Sequence, residues 1–481
     1  FRSLLLDTSH SALSNMVLSY KNRIFLGALF AVALSWVRYV FVRVFFKGHA
    51  APRPGDAFVS PVWFQRVVRE CGFPDVVVKS VQIGGLSDNR GLAGQINRIE
   101  VTYAHDPKSL PKLPTKFILK TTNIGLAGRA NCLSQVSWRE AVFYNSGAYN
   151  KFDYSGTGKR YPLQHPVLEK GINIAEQYKE FMPRVWYAYG SSWTAEAVIL
   201  QSDESIHNAS CPVNFVFGNQ VWGVPKPVIP PRDIVSTLKT IFTTTATRHA
   251  LHWNDEALLH QPWLKHANWF LGKDRARWEH SMASARVHWS SVLTKVAAPN
   301  SGLVFDDRIV SIMNKSLEES SWEAFQAHVK DRKQNPFTLT HGDFHASNMF
   351  LYRKEGSDVD YPLWFDWSEV GPWEPTTDLG QMLISDVPRA ITNAHSKELI
   401  RAYYDALITA GVSDKDYTWQ MCWNAFCRGS VERWLWLFCF LADFPLPANA
   451  IQYFHDQILN FLNQHCPNET HFKFKTLVSL L

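Results

Sequence analysis

None of the chain's seven cysteines falls in a C-x-x-C pair, so their spacing yields neither a zinc site nor a disulfide framework. Lysine and arginine form no block of the kind a nucleic-acid arm carries. The formal net charge of +6 over 481 residues suits an anionic ligand or a membrane surface and does not indicate nucleic acid. Charge is sparse overall: 19% of residues are charged and 46% hydrophobic, which excludes a disordered chain. Tryptophan is abundant instead, with 19 copies that imply aromatic packing. The length exceeds one small core and suits two lobes. Cys422, Cys427 and Cys439 lie in an apolar helical stretch and read as small buried hydrophobes.

One long apolar run stands near the start. Ile24 to Val37 carries no charge, and the run continues to Phe46, interrupted by Arg38 and Arg43. A helix over 24–46 is long enough to span a bilayer, with the arginines near one end and Trp36 and Tyr39 suited to an interface. A helix lying in the interface is the alternative. Arg38, Arg43, Lys47 and Arg53 outnumber Lys21 and Arg23 on the other flank, which puts the large globular part on the cytoplasmic or matrix side. The first residue is Phe1 rather than Met, and the expectation prefers the mitochondrial inner membrane to the ER. Residues 51–55 read as a linker.

Beyond it, Val76–Gln82 and Ile96–Tyr103 have strand character and enclose a glycine-bearing loop that runs through Gly91 to Gly94. Backbone N–H groups of such a loop can approach a phosphate. A strand at Lys116–Lys120 and a helix over Cys132–Tyr144 come next. A strand lysine, Lys120, paired to a helix glutamate, Glu140, can set its ammonium against ATP phosphates. Residues 145–180 read as an insertion. Strands are expected at 184–189 and 196–201, the second running through Gln201 to Asp203 as an inter-lobe connector whose backbone could bond an adenine edge.

Helical patterns dominate from about Asp233: 234–253, 263–289, 307–329, 397–410 and 417–442. Between them lies a hairpin. Thr338–Thr340 leads into the loop His341-Gly342-Asp343-Phe344-His345-Ala346-Ser347-Asn348; Met349–Tyr352 leaves it; residues 354–358 turn; and Pro362–Phe365 ends in Asp366. Phosphoryl transfer needs a carboxylate to orient a hydroxyl, and an amide oxygen with a second carboxylate to hold Mg2+ between phosphates. Asp343, Asn348 and Asp366 form such a set. His341, Asp343 and His345 alternate and could instead present metal ligands on one face. That alternative leaves Asn348 and Asp366 unexplained.

The loop, with Trp364-Phe365-Asp366-Trp367-Ser368 and Pro375-Thr376-Thr377-Asp378-Leu379, resembles the aminoglycoside phosphotransferase and choline kinase-like superfamily. Asp88-Asn89 through Arg98–Tyr103 and the stretch Trp138–Tyr144 make it similar to the ecdysteroid-kinase-like branch, His249–Trp253 resembles a helix of the superfamily, and the match covers roughly 58–460. The resemblance implies an α+β, two-lobed protein-kinase-like fold, with a small antiparallel-sheet lobe over 56–204 and a mainly helical lobe over 205–481; the membrane anchor and linker over 1–55 and the 145–180 insertion are not part of the usual domain. It implies ATP and Mg2+ as cofactors, Asp343 as catalytic base, Asn348 and Asp366 as metal ligands, Lys120 on phosphates paired with Glu140, and Asp378 as a structural brace. Gln201 stands where relatives often carry an acidic residue.

The function expected is a membrane-anchored, ATP-dependent phosphotransferase acting on a hydroxyl of a small molecule. Choline, a lipid head group, a sterol-like alcohol and a sugar all stay open as acceptor. The alternative is a catalytically weak kinase-fold subunit or scaffold of a larger membrane assembly. A protein kinase is disfavoured, because the loop reads HGD rather than HRD and no A-P-E-like segment follows Asp366. Trp419, Trp423, Trp434 and Trp436 at helical spacing read as core before they read as a cation cage.

Overall fold

A computed structural model describes residues 20–45, 51–52, 59–85, 94–104, 113–123, 125–145, 181–204, 233–353 and 360–473. The chain divides into two units, Phe1–Ile206 and His207–Leu481. Gly91 with most of the glycine loop, nearly all of the 145–180 insertion and the 354–358 turn lie outside the described residues.

Among the described residues, the N-terminal unit opens with helix α1 (Tyr20–Phe45) and helix α2 (Pro61–Glu70). Ser60 caps α2 by accepting the Trp63 N–H, and Pro61 fits the first helical position, where no N–H is needed. Five strands come after them: β1 (Val78–Gly85), β2 (Gly94–Tyr103), β3 (Lys116–Thr122), β4 (Val185–Ser191) and β5 (Glu196–Ser202). They form one antiparallel sheet in the order β1-β2-β3-β5-β4. On β2, Ile99, Val101 and Tyr103 are buried while Glu100 and Thr102 face water, the period of two of a half-covered sheet. Trp63, Phe64 and Val67 of α2 pack on that covered face, where the Phe64 ring lies 4.9 Å from Phe117 and Phe117 lies 5.6 Å from Trp186.

The single helix expected over Cys132–Tyr144 is two, α3 (Gly125–Gln135) and α4 (Arg139–Asn145). The break falls at Val136, whose φ of 56° is costly for a β-branched residue. Ser137 N–H closes the end of α3 on the Cys132 carbonyl. The break starts α4 afresh and puts Glu140 in its first turn.

Asn22–Phe41 of α1 is long and apolar enough to cross a membrane, with a mean hydropathy of 1.9; a signal sequence can share those properties. One stripe of α1 is covered by its own unit. Ala28, Ala31 and Ser35 are buried, and Ala31 packs with Cys132 of α3 and Ala195 of the β4–β5 turn.

In the C-terminal unit the expected helical patterns are present but cut more finely. Helix α5 (Ile234–Leu251) is capped by Asp233, and α6 (Glu256–Leu259) is the next. The 263–289 pattern is interrupted: α7 (Ala267–Phe270) is separated from α8 (Arg275–Ala297), with Asp274 in the left-handed region at φ 59°. The 307–329 pattern is α9 (Asp307–Glu319) and α10 (Trp322–Lys330), because Ser321 caps a new helix by accepting the Ala324 N–H. Strands β6 (Thr338–Thr340), β7 (Met349–Arg353), β8 (Asp360–Trp364) and β9 (Gly371–Trp373) pair as β6–β9 and β7–β8. Helices α11 (Thr377–Ser385), α12 (Arg389–Thr409), α13 (Trp419–Leu441) and α14 (Ala448–His465) complete the unit, and α11 is buried along its whole length. Trp434 and Trp436 of α13 are core, as expected. Trp419 and Trp423 are half-exposed and stack on each other, ring centroids 5.8 Å apart. All six described cysteines are free and buried.

Candidate active site

The loop between β6 and β7 is built on Gly342. Its φ of 81° lies in the left-handed region, and a Cβ there would collide with the Glu369 carbonyl. Asp378, in the first turn of α11, accepts the N–H groups of His341 at 2.8 Å and Gly342 at 3.1 Å. Burial works to raise the Asp378 carboxyl, but His249, then His341 and Arg433, hold it below its ordinary range. His249 comes from the last turn of α5, 3.8 Å away, and is itself bonded to Tyr403. With Asp378→Ala, two buried N–H groups lose their acceptor. The expected cost is about 3 kcal/mol in denaturant unfolding; a loss under about 1 kcal/mol would contradict the brace.

His341 is buried. Its Nδ1 accepts the Asp343 N–H at 3.3 Å and its Nε2 lies 3.0 Å from the Phe365 carbonyl, so the two partners set a neutral tautomer with the proton on Nε2. Burial lowers its pKa against the pull of Asp378 and Asp343. Both ring nitrogens are therefore engaged with backbone, and the alternating His341, Asp343, His345 set does not converge on a metal. Among the described residues there is no group of three or more His, Cys, Asp and Glu arranged to hold one.

Asp343 is held from three directions. Asn348 Nδ2 donates to its Oδ2 at 2.9 Å and to its carbonyl at 3.0 Å, Gln381 Nε2 donates to Oδ1 at 2.8 Å, and His345 Nε2 lies 3.4 Å from Oδ2. Burial acts to raise the Asp343 carboxyl, and His345, His341 and Gln381 outweigh it, keeping it well below the usual carboxylate range. Burial acts to lower His345, and Asp343 overrides it, lifting the imidazole to about 9. A raised histidine stabilises the fold fully below its unfolded pKa of about 6.5 and loses that contribution as pH climbs through its folded value. Wild type should therefore lose more melting temperature than His345→Gln between about pH 6 and pH 9.5. Parallel curves would rule the ion pair out.

Asn348 ends a short 3-10 turn at 346–348, and its carbonyl accepts the Phe365 N–H at 3.0 Å. That bond puts the loop's last residue beside the residue preceding Asp366. Asp366 has φ 62° and ψ 61°, a left-handed conformation that Asp and Asn tolerate best among side-chain-bearing residues. The Asn348 amide nitrogen is committed to Asp343, which leaves its oxygen as the donor atom. One amide oxygen and one carboxylate at neighbouring strand ends fit a hydrated hard cation completed by phosphate oxygens.

In the N-terminal unit, Lys120 Nζ and Glu140 Oε2 meet at 2.6 Å, with Glu140 buried and Lys120 a fifth exposed. Gly94 pairs with Thr122, and a Cβ on it would strike the Thr121 carbonyl, so the sheet itself requires this glycine. Gln201 pairs with Ile118 on one side and Val185 on the other; β5 is an inner strand and Gln201 borders no open sheet edge. Asp203 is held by Arg98 Nε at 2.6 Å. These three residues thus have structural duties that the sequence reading did not anticipate.

Three participants were missed. Gln381 positions Asp343. Arg433 holds Gln381 Oε1 at 2.6 Å and also donates to the Gly342 carbonyl, and Asp386 accepts the Ala346 N–H at 2.9 Å. The available signal was polarity out of place: Gln381 lies three residues after Asp378 on an apolar helix, and Arg433 lies inside the Trp-rich helix.

A five-stranded antiparallel unit carries a Lys–Glu pair, and a mainly helical unit carries an Asp–Asn loop with an Asp closing the next hairpin, an arrangement that fits an α+β, protein-kinase-like fold. Residues 305–411 match the model of the Ecdysteroid kinase-like family, a stretch that contains the whole loop, Asp366 and Asp378. No curated protein sequence matches the chain. Solved structures with a similar course include choline kinase from Cryptosporidium parvum Iowa II (7% identity, 84% of this chain and 94% of that one, TM-score 0.43). Others are an amicoumacin kinase in complex with AMP-PNP, Ca2+ and Ami (11%, 81% and 91%, TM-score 0.38) and a Plasmodium vivax ethanolamine kinase (10%, 80% and 82%, TM-score 0.33). Likeness at these scores transfers no residue role.

Proposed function

We propose that the chain transfers the γ-phosphoryl group of ATP to a hydroxyl of a small molecule. The observation that carries this reading is the Asp343–Asn348 pair, bonded at 2.9 Å, with Asp366 at the end of the adjoining strand. Asp343 accepts the acceptor's O–H, aims its oxygen at the γ-phosphorus and takes the proton as the new P–O bond forms and the bond from that phosphorus to the bridging oxygen of the departing ADP breaks. Its depressed pKa makes it a weak base, which suits a loose transition state in which the proton leaves late. Gln381 and Asn348 fix its orientation. Lys120, steadied by Glu140, binds the nucleotide phosphates, and Gly91 of the glycine loop is assigned to the same task. Asn348 Oδ1 and the Asp366 carboxylate would hold Mg2+, which would offset the charge of the phosphate groups. Gly94, Gln201 and Asp203 are assigned to the nucleotide's surroundings, with Gln201 held between two strand partners and the Asp203 carboxylate held by Arg98.

The same reading attaches the chain to a membrane through α1, on the ATP-bearing cytoplasmic or matrix side, with the mitochondrial inner membrane ahead of the ER. The basic flank from Arg38 to Arg53 supports it. The test is Mg-ATP binding and then a phosphorylation screen over choline, lipid head groups, sterol-like alcohols and sugars, with Asp343→Ala as control. Turnover of one class, absent in the control, is the expected result. No nucleotide binding at millimolar Mg-ATP overturns the reading in favour of a kinase-fold scaffold.

A further inference from the structure

We infer that α1 lies flat on an anionic lipid surface, with its own unit docked along its inner side, instead of crossing the bilayer. Four observations carry this.

The inner side of α1 is occupied. A Cβ on Gly27 would crowd Leu133 of α3, Ala28 and Ala31 are buried, and the Ser35 hydroxyl donates to Glu196 Oε1 at 2.6 Å. Arg38 lies 3.5 Å from Glu196 Oε2 and covers the Tyr189 ring at 4.1 Å. The spacing 27/28, 31, 35, 38 is one helical stripe.

That stripe ends on a buried charge cluster. Glu196 also receives Arg129 at 2.8 Å, and Arg129 donates to the Ala195 carbonyl at 2.9 Å. A spanning α1 needs about 20 residues in hydrocarbon, roughly the whole of its apolar length. Because Gly27 to Arg38 sits in the middle of that length, crossing would pull Glu196, Arg129 and the polar β4–β5 turn into lipid, or strip them from the helix. Either outcome leaves charge and backbone without partners.

The outer side is rich in exposed apolar side chains. Ten of the seventeen large hydrophobics exposed among the described residues belong to α1, with Phe25, Leu29, Trp36, Val40, Phe41 and Val44 between 44% and 58% exposed. So concentrated a patch is rare on a soluble surface. It runs along one side of the helix from Phe25 to Phe45, about 30 Å, as in a helix lying along an interface.

The charge around it has one sign. From Thr8 to Gly55 the sequence holds six Lys and Arg and no Asp or Glu. Such a segment is complementary to anionic headgroups and has no feature that would favour an acid-neutral partner or a like-charged copy of itself. Trp36 and Tyr39 suit the headgroup level.

The inference stands apart from the phosphotransfer reading and can fail without it. The test uses the full chain and vesicles of phosphatidylcholine with and without phosphatidylserine. Flotation should require the anionic lipid and weaken with salt. Trp36→Asp with Val40→Asp, both at exposed positions, should lower the bound fraction about a hundredfold while the melting temperature and the Mg-ATP response stay unchanged. Cysteines introduced at Asn22 and Val44 should both react with an impermeant maleimide from the side on which protein was added. Protection of one of the two, with resistance to alkaline extraction, would overturn the inference in favour of a spanning helix. Absence of vesicle binding, with dimers in light scattering that the double variant abolishes, would assign the face to a second copy of the chain and overturn it equally.

Discussion

Asp343→Asn should lower phosphotransfer about 10³-fold and leave Mg-ATP binding in place. The change is isosteric, so the loop keeps its bonds to Asp378 and the Gln381 amide keeps an oxygen to donate to. Two things are lost. The side chain can no longer accept the acceptor's proton. Its new amide hydrogens also face the Asn348 Nδ2 donor, which formerly met Oδ2 at 2.9 Å, so the group that aims the nucleophile is mis-set. His345 simultaneously loses the carboxylate that lifts it to about 9, so its titration should move down in pH, which NMR can follow. A rate within tenfold of wild type would remove Asp343 from the chemistry. A rate that falls together with Mg-ATP binding would make it a binding residue instead.

Asp366→Asn should remove Mg-ATP stabilisation altogether. A ligand at a hundredfold excess over its Kd stabilises by about 2.7 kcal/mol, and wild type should show that shift in a melting experiment and lose it in EDTA. The variant should show none at the same concentration, because the carboxylate charge that binds the cation is gone. Asn is the right probe: Asp366 has φ 62°, where alanine would add backbone strain and blur the reading. An undiminished shift would transfer the metal role elsewhere.

The strands and the loop were legible because their signals are local. Alternation over Ile96–Tyr103 fixes a half-buried strand whatever the strand packs against, and the loop's polar residues declare themselves against apolar flanks. Lys120 and Glu140 could be paired from order alone, and they meet at 2.6 Å. What escaped depends on distant chain. Nothing near Gln381 says that Arg433, 52 residues on, will hold it against Asp343. Helix ends escaped for a different reason: Val136 and Asp274 adopt positive φ, a choice made by tertiary packing against local preference. The apolar run near the start was legible as a membrane-seeking helix, but its burial on α3 and Glu196 was not, since small residues at 27, 28 and 31 look the same whether they face lipid or protein.

The left-handed backbone at Asp366 has a consequence for how this chain would age. Gly342 and Asp378 are kept by folding, and a copy released from turnover would still need them. Position 366 carries the carboxylate assigned to the cation, and its left-handed φ suits Asn and Gly as well as Asp. In natural variants the first scar of lost catalysis should therefore appear there, as Asn or Gly at 366 over an intact Asp378. A silent descendant could be told from a working one by a single codon.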